Sequence, residues 1–100
     1  MARFGSKQPY EEYYVAFDFT ADVGEAAIAS AEVIVYDSSE ATCTSTLTDV
    51  ANQSLATTSV NVWVQGGETG QEYKITCRIE TNSTPAEKFE LDGTLPVEEK

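Results

Sequence analysis

Beyond Gly70 apolar and polar positions alternate strictly: Tyr73, Ile75, Cys77 and Ile79 share one side, and Lys74, Thr76, Arg78 and Glu80 share the other. Successive side chains of a strand point to opposite faces, so this period predicts a half-buried strand with one wet face. It is entered through a turn marked by Gly66, Gly67 and Gly70 and runs to about Asn82. The same period recurs four times. Over Glu12 to Thr20, Tyr13, Val15, Phe17 and Phe19 oppose Tyr14, Ala16 and Asp18. Over Val60 to Gln65, Val60, Val62 and Val64 oppose Asn61 and Trp63. Ala31 to Tyr36 has Val33 and Val35 on one side and Glu32, Ile34 and Tyr36 on the other, an apolar share on both faces that suits an interior strand or one covered by a neighbouring chain. Lys88 to Leu91 closes the set with Phe89 and Leu91 facing in, and Asp92–Gly93 and Pro96 are expected to stop it.

The remaining segments are less periodic. Ala21 to Ala29 is alanine-rich but interrupted by Gly24 and reads as a connection ending near Ile28. Thr42 to Leu47 reads as a weak strand inside a Ser/Thr-rich stretch, and Asp49 to Ala56 as one helical turn or a loop. Six to seven short strands without a long helix cannot bury both faces as one sheet, and two antiparallel sheets packed face to face solve that problem. The expected organisation is therefore one all-β sandwich over residues 11–93, an N-terminal arm over 1–10 whose removal leaves the fold intact, and a charged tail over 94–100. Tyr73 stands where the chain swings from turn to strand, the place for a buried ring whose hydroxyl bonds back to the turn; Gly66, Gly67, Gly70 and Tyr73 are the expected structural residues.

Charge and composition narrow the function. Asp and Glu number 17 against 6 Lys and Arg, for a net charge of −11. A phosphate backbone needs a basic footprint, so direct nucleic-acid binding is excluded, and anionic membranes are disfavoured alike. The acidic surface serves solubility or docks a basic partner. No run of apolar residues is long enough to span a bilayer, and the first ten residues lack the apolar core of an export signal. Cys43 and Cys77 cannot close a zinc site by themselves; reducing conditions during synthesis favour free thiols over a bond between them.

Histidine is absent, which removes the common general base and triad base together. Adjacent carboxylates such as Glu11–Glu12 and Glu98–Glu99 lie near the chain ends, where nothing desolvates them. Asp18, Asp22 and Glu25 are too loosely spaced for a calcium loop, and Gly66–Gly70 is followed by a strand instead of the Lys-Ser/Thr and helix of a phosphate loop. Asn52-Gln53-Ser54 and Asn82-Ser83-Thr84 match a glycosylation pattern of low specificity. Hence no enzyme is expected, and no catalytic, metal or cofactor residue. Trp63 reads as core by size, or as an interface anchor if exposed beside Gly66–Gly67. Phe4, Tyr10 and Tyr14 are the candidate partner contacts.

Two resemblances add to this reading. The spacing of Gly70, Tyr73, Ile75 and Cys77 resembles the sixth strand of fibronectin type III and related domains, which implies an immunoglobulin-like sandwich. More of the chain is similar to small structural proteins of tailed phages and prophages, often described as fibre–tail adaptors. The specific element is Val-Trp-Val-Gln-Gly-Gly followed by Thr69-Gly70 and Tyr73, preceded by Lys7 and Pro9, by Tyr13–Phe19, and by Ile28-Ala29-Ser30. The Ser/Thr-rich middle, Thr42 to Ser59, and the cysteines depart from the pattern. The resemblance implies a virion structural protein, an adaptor or decoration module made in the bacterial host cytoplasm. Its implied partners are tail, neck or capsid proteins, within a homo-oligomer or symmetric multi-copy assembly. The alternative is a free-standing carbohydrate- or cell-surface-binding module, for which Tyr14, Tyr36 and Trp63 would have to face outward together.

Overall fold

The computed structural model describes residues 2–99. Seven strands, β1 (Ala2–Arg3), β2 (Tyr13–Asp18), β3 (Ile28–Tyr36), β4 (Ser54–Leu55), β5 (Ser59–Val64), β6 (Gln71–Thr81) and β7 (Lys88–Val97), form two sheets. One runs β1-β7-β6-β3, with β1 parallel to β7 and the rest antiparallel; the other runs β2-β5-β4. The sheets pack face to face as an all-β sandwich. The alternation seen in the sequence is its cause. Val15, Phe17 and Phe19 meet Val60, Val62 and Val64 on the inner face of one sheet, and Val35, Tyr73, Ile75, Cys77, Ile79, Leu95 and Val97 line the other. The long pair β6 and β7 draws the domain out to 45 Å along one axis.

Several elements differ from the sequence expectation. The last strand does not stop at Leu91 but continues to Val97, in unbroken register from Glu80↔Lys88 to Gln71↔Val97. Both expected breakers are tolerated for identifiable reasons. A Cβ on Gly93 would lie 2.4 Å from the Phe4 ring, so the glycine makes room for an aromatic. The Pro96 carbonyl accepts the Lys7 N–H at 2.9 Å, so its backbone groups face the N-terminal segment and no bond to β6 is lost. The last strand therefore takes in most of the expected tail.

The segment read as an arm lies along β7. Beyond the β1 pairing, Phe4 N–H donates to the Thr94 carbonyl, Lys7 bridges Val97, and Glu98 N–H returns to the Lys7 carbonyl. Phe4 packs edge-on against Phe17, ring centroids 5.4 Å apart.

β3 begins at Ile28, earlier than expected, with a register shift between Ile28 and Ser30. It is an edge strand, not an interior one. Thr42 to Leu47 is not a strand: Thr44–Leu47 forms a helical turn, α2. The Val35 N–H donates to Thr44 Oγ1, the Cys43 N–H donates to the Val35 carbonyl, and Leu47, 1% exposed, plugs the end of the core. Burying one leucine here outweighs the weak strand propensity of a Ser/Thr run. A second helical turn, α1 (Thr20–Val23), buries Val23 after β2. A 3-10 turn over Val50–Asn52 precedes β4, with Asp49 accepting the Ala51 N–H and the Asn52 side-chain amide. Both cysteines are free: Cys77 faces the core and Cys43 is half-buried beside it.

Candidate functional site

Two regions carry the residues singled out by sequence. The first is the turn from Gly66 to Gly70. Tyr73 is buried, and its hydroxyl oxygen accepts the Glu68 N–H at 3.0 Å. The Gly67 backbone has φ of +99°, and a Cβ there would meet Val97 at 2.9 Å, so both conformation and space require glycine. Gly70 N–H donates to the Val97 carbonyl and ties the turn to the end of β7. The Gly66 carbonyl accepts from Lys7 Nζ at 2.6 Å. Lys7 is fully buried, and its ammonium also donates to the carbonyls of Gln8 and Pro9, so its three protons each have an acceptor. Burial pulls its pKa below the ordinary lysine value, partly opposed by Glu11 and Glu12. A lone lysine in a polar segment carries no signal of burial in the sequence.

The second region is the outer face of the three-stranded sheet. Trp63 lies here and not in the core, because Val60, Val62 and Val64 occupy the inward positions of β5 and leave Trp63 the other face. Tyr14 is its cross-strand neighbour, and the rings meet edge to face at 5.0 Å. The Tyr14 hydroxyl donates to the Asn52 carbonyl, and Asp49 N–H donates to the Trp63 carbonyl, which seats the 3-10 turn beside the aromatic pair. Val50 at 78% and Tyr14 at 49% exposure make this an apolar surface open to solvent.

The three candidate contacts are not brought together. Phe4 is turned into the interior against Phe17, Tyr14 is on the outer sheet face, and Tyr10, 94% exposed, projects from the turn before β2. Tyr36 lies on the outer face of the other sheet, under the Lys74 ammonium at 5.7 Å from its ring, so it cannot share a platform with Tyr14 and Trp63.

Charge is divided between the sheets. Arg3–Glu72, Lys74–Asp92, Arg78–Glu90, Arg78–Glu32 and Lys88–Glu80 all lie on the four-stranded sheet. The outer face of β2-β5-β4 carries no lysine or arginine, while Asp18 and Asp49 lie on or beside it. Among the described residues no group of three His, Cys, Asp or Glu converges to hold a metal ion, and no buried side-chain polar atom lacks a hydrogen-bond partner. No helix among them is long and apolar enough to cross a membrane.

No curated protein matches the chain. A family model described as "Podophage GP4 fiber-tail adaptor protein gp77" matches residues 7–91, from the buried lysine through most of the sandwich, and the chain belongs to that family.

Proposed function

We propose that the protein is a structural adaptor of a tailed-phage particle, an immunoglobulin-like module that holds fibre and tail components together and does no chemistry. The observation that carries this is the family match over residues 7–91, which spans both sheets instead of one motif. The strand order supports the fold assignment: β2-β5-β4 against β3-β6-β7 reproduces the B-E-D and C-F-G division of immunoglobulin constant-type domains, with the N-terminal segment added beside the last strand. On this reading the arm of the sequence expectation is a sheet edge of the module. Docking is what such a surface offers: a solvent-open aromatic pair with acidic flanks. The described cations are ion-paired on one sheet or, for Lys7, buried, which speaks against a nucleic-acid footprint. Tyr36 lies on the other sheet from Tyr14 and Trp63, so the three-ring platform that a carbohydrate module would need is not formed.

In this role the chain is made in the host cytoplasm and ends in the virion, in several copies set by the symmetry of the tail. Purification of particles carrying a tagged chain tests it: fibre and tail proteins are expected to co-purify in fixed stoichiometry. Particles that assemble with fibres attached in the absence of the chain would overturn it.

A further inference from the structure

An exposed strand edge is a template for further pairing, and folded proteins normally blunt it by shortness, bulges, proline, lysine or cover. The sandwich has four edges. β1 and β4 are two residues long. β3 is bulged near Ile28, and its Val35 backbone is bonded by Cys43 and Thr44, which leaves only Ala31 and Val33 open among the described residues. β2 has none of these protections. It runs six residues in unbroken register with β5 and contains no proline, lysine or bulge.

The phase of its open side is fixed by one bond. Phe19 N–H donates to the Thr58 carbonyl, continuing the register in which Phe17, Val15 and Tyr13 turn their backbone groups toward β5. The N–H and C=O groups of Tyr14, Ala16 and Asp18 therefore face away from β5, and none is hydrogen-bonded among the described residues. The segment that could have covered this edge, residues 2–7, gives its backbone pairing to β7.

We propose that the open edge of β2 receives an extended, lysine- or arginine-bearing segment of a different chain as a fourth strand of the β2-β5-β4 sheet. This deepens the adaptor reading and rests on it. Strand addition supplies affinity through the main chain and selectivity through side chains on alternate positions. On the outer face the incoming strand meets Tyr14, the small Ala16 and the Asp18 carboxylate in succession, with Trp63 behind Tyr14. Charge complementarity chooses the occupant. No cation lies on this face, Glu11 and Glu12 lead into the strand, and Asp18 ends it. A second copy, carrying the same carboxylates and a net charge of −11, is repelled from it.

The test uses the full chain, free and within the tail–fibre complex purified from particles, with amide hydrogen exchange as the readout. The amides of Tyr14, Ala16 and Asp18 are expected to slow by at least about tenfold in the complex, while those of Ala31 and Val33 are unchanged. Ala16→Pro removes an outward N–H without touching the β5 ladder and is expected to lower incorporation by at least about tenfold. Ala16→Lys, which leaves the backbone intact, is expected to do the same and covers the case in which the proline variant fails to fold, as a urea titration would reveal. Retained chain is expected to fall as salt rises from about 0.1 to about 1 M. If the chain is in the complex but these amides exchange as in the free protein, the docking edge is overturned and the adaptor role stands. If the chain is absent from the complex, the adaptor role falls and this proposal with it. A dimer of the isolated chain that Ala16→Pro abolishes would make the occupant a second copy and overturn the assignment.

Discussion

Lys7 Nζ donates to the carbonyl of Gly66 at 2.6 Å, joining positions 59 residues apart in the chain. The bond fastens the N-terminal segment to the turn that launches β6. Replacing Lys7 with Met keeps the stem and removes the donor, leaving the Gly66 carbonyl unpaired. An acceptor orphaned in this way costs about 1–3 kcal/mol, and a urea midpoint lowered by that amount is expected. A variant as stable as the parent would show that burying the ammonium had cost as much as its three bonds return.

Phe4 and Gly93 form a lock of the same kind. The Phe4 ring occupies the space where a Cβ on residue 93 would sit. Gly93→Ala is therefore expected to displace the ring from Phe17 and destabilise the fold, and Phe4→Ala is expected to lose packing on its own. Because the two changes remove one contact, their costs should fall short of additive by about 0.5–3 kcal/mol in a double-mutant cycle. Strict additivity would mean that the ring is not seated on Gly93. Deleting residues 1–10 removes both locks, so the truncated chain is expected to melt well below the parent, contrary to what an unpaired arm would do.

Tyr73 carries its hydroxyl to a single backbone donor. Tyr73→Phe keeps the buried ring and leaves the Glu68 N–H without an acceptor, and a loss of about 1–2 kcal/mol is expected by denaturant unfolding. An unchanged midpoint would place the stability of the turn in its glycines alone.

Cys77 is expected to make the domain sensitive to alkali. Burial pushes its thiol from 9.0 up to about 12. A folded-state pKa raised above the unfolded one means that the unfolded chain releases its proton first. The contribution to stability is thus complete below pH 9 and is lost as pH rises toward about 12, at about 1.4 kcal/mol per pH unit within that window. Burial raises Tyr13 and Cys43 as well, with the same sign. Stability measured against pH is expected to fall from about pH 9 upward, and Cys77→Ala or Cys77→Val should flatten that slope. A thiol reagent at neutral pH should modify Cys77 only after unfolding.

The periodic strands were legible from residue types alone because a half-buried strand writes its two faces into alternate positions. Tyr13–Asp18, Ser59–Val64 and Gln71–Thr81 lie within a few residues of where the alternation places them, and two sheets follow from the number of apolar faces to be covered. The turn at Gly66–Gly70 was equally visible, since glycine spacing before an alternating run reports backbone that other residues resist. Partners distant in sequence were not legible. Gly93 and Pro96 look like breakers until Phe4 and the Lys7 N–H are seen beside them. Nothing in the residue types around Lys7 announces its burial, and only the fold brings three carbonyls onto its ammonium. Trp63 looks like core by size, whereas the valines flanking it take the inward places. Which sheet edge stays open is decided in the same way: the composition of β2 is ordinary, and its edge is bare because the N-terminal segment pairs with β7 instead. Alternation specifies which way side chains point along a strand, but only contacts between remote segments set which neighbours they meet.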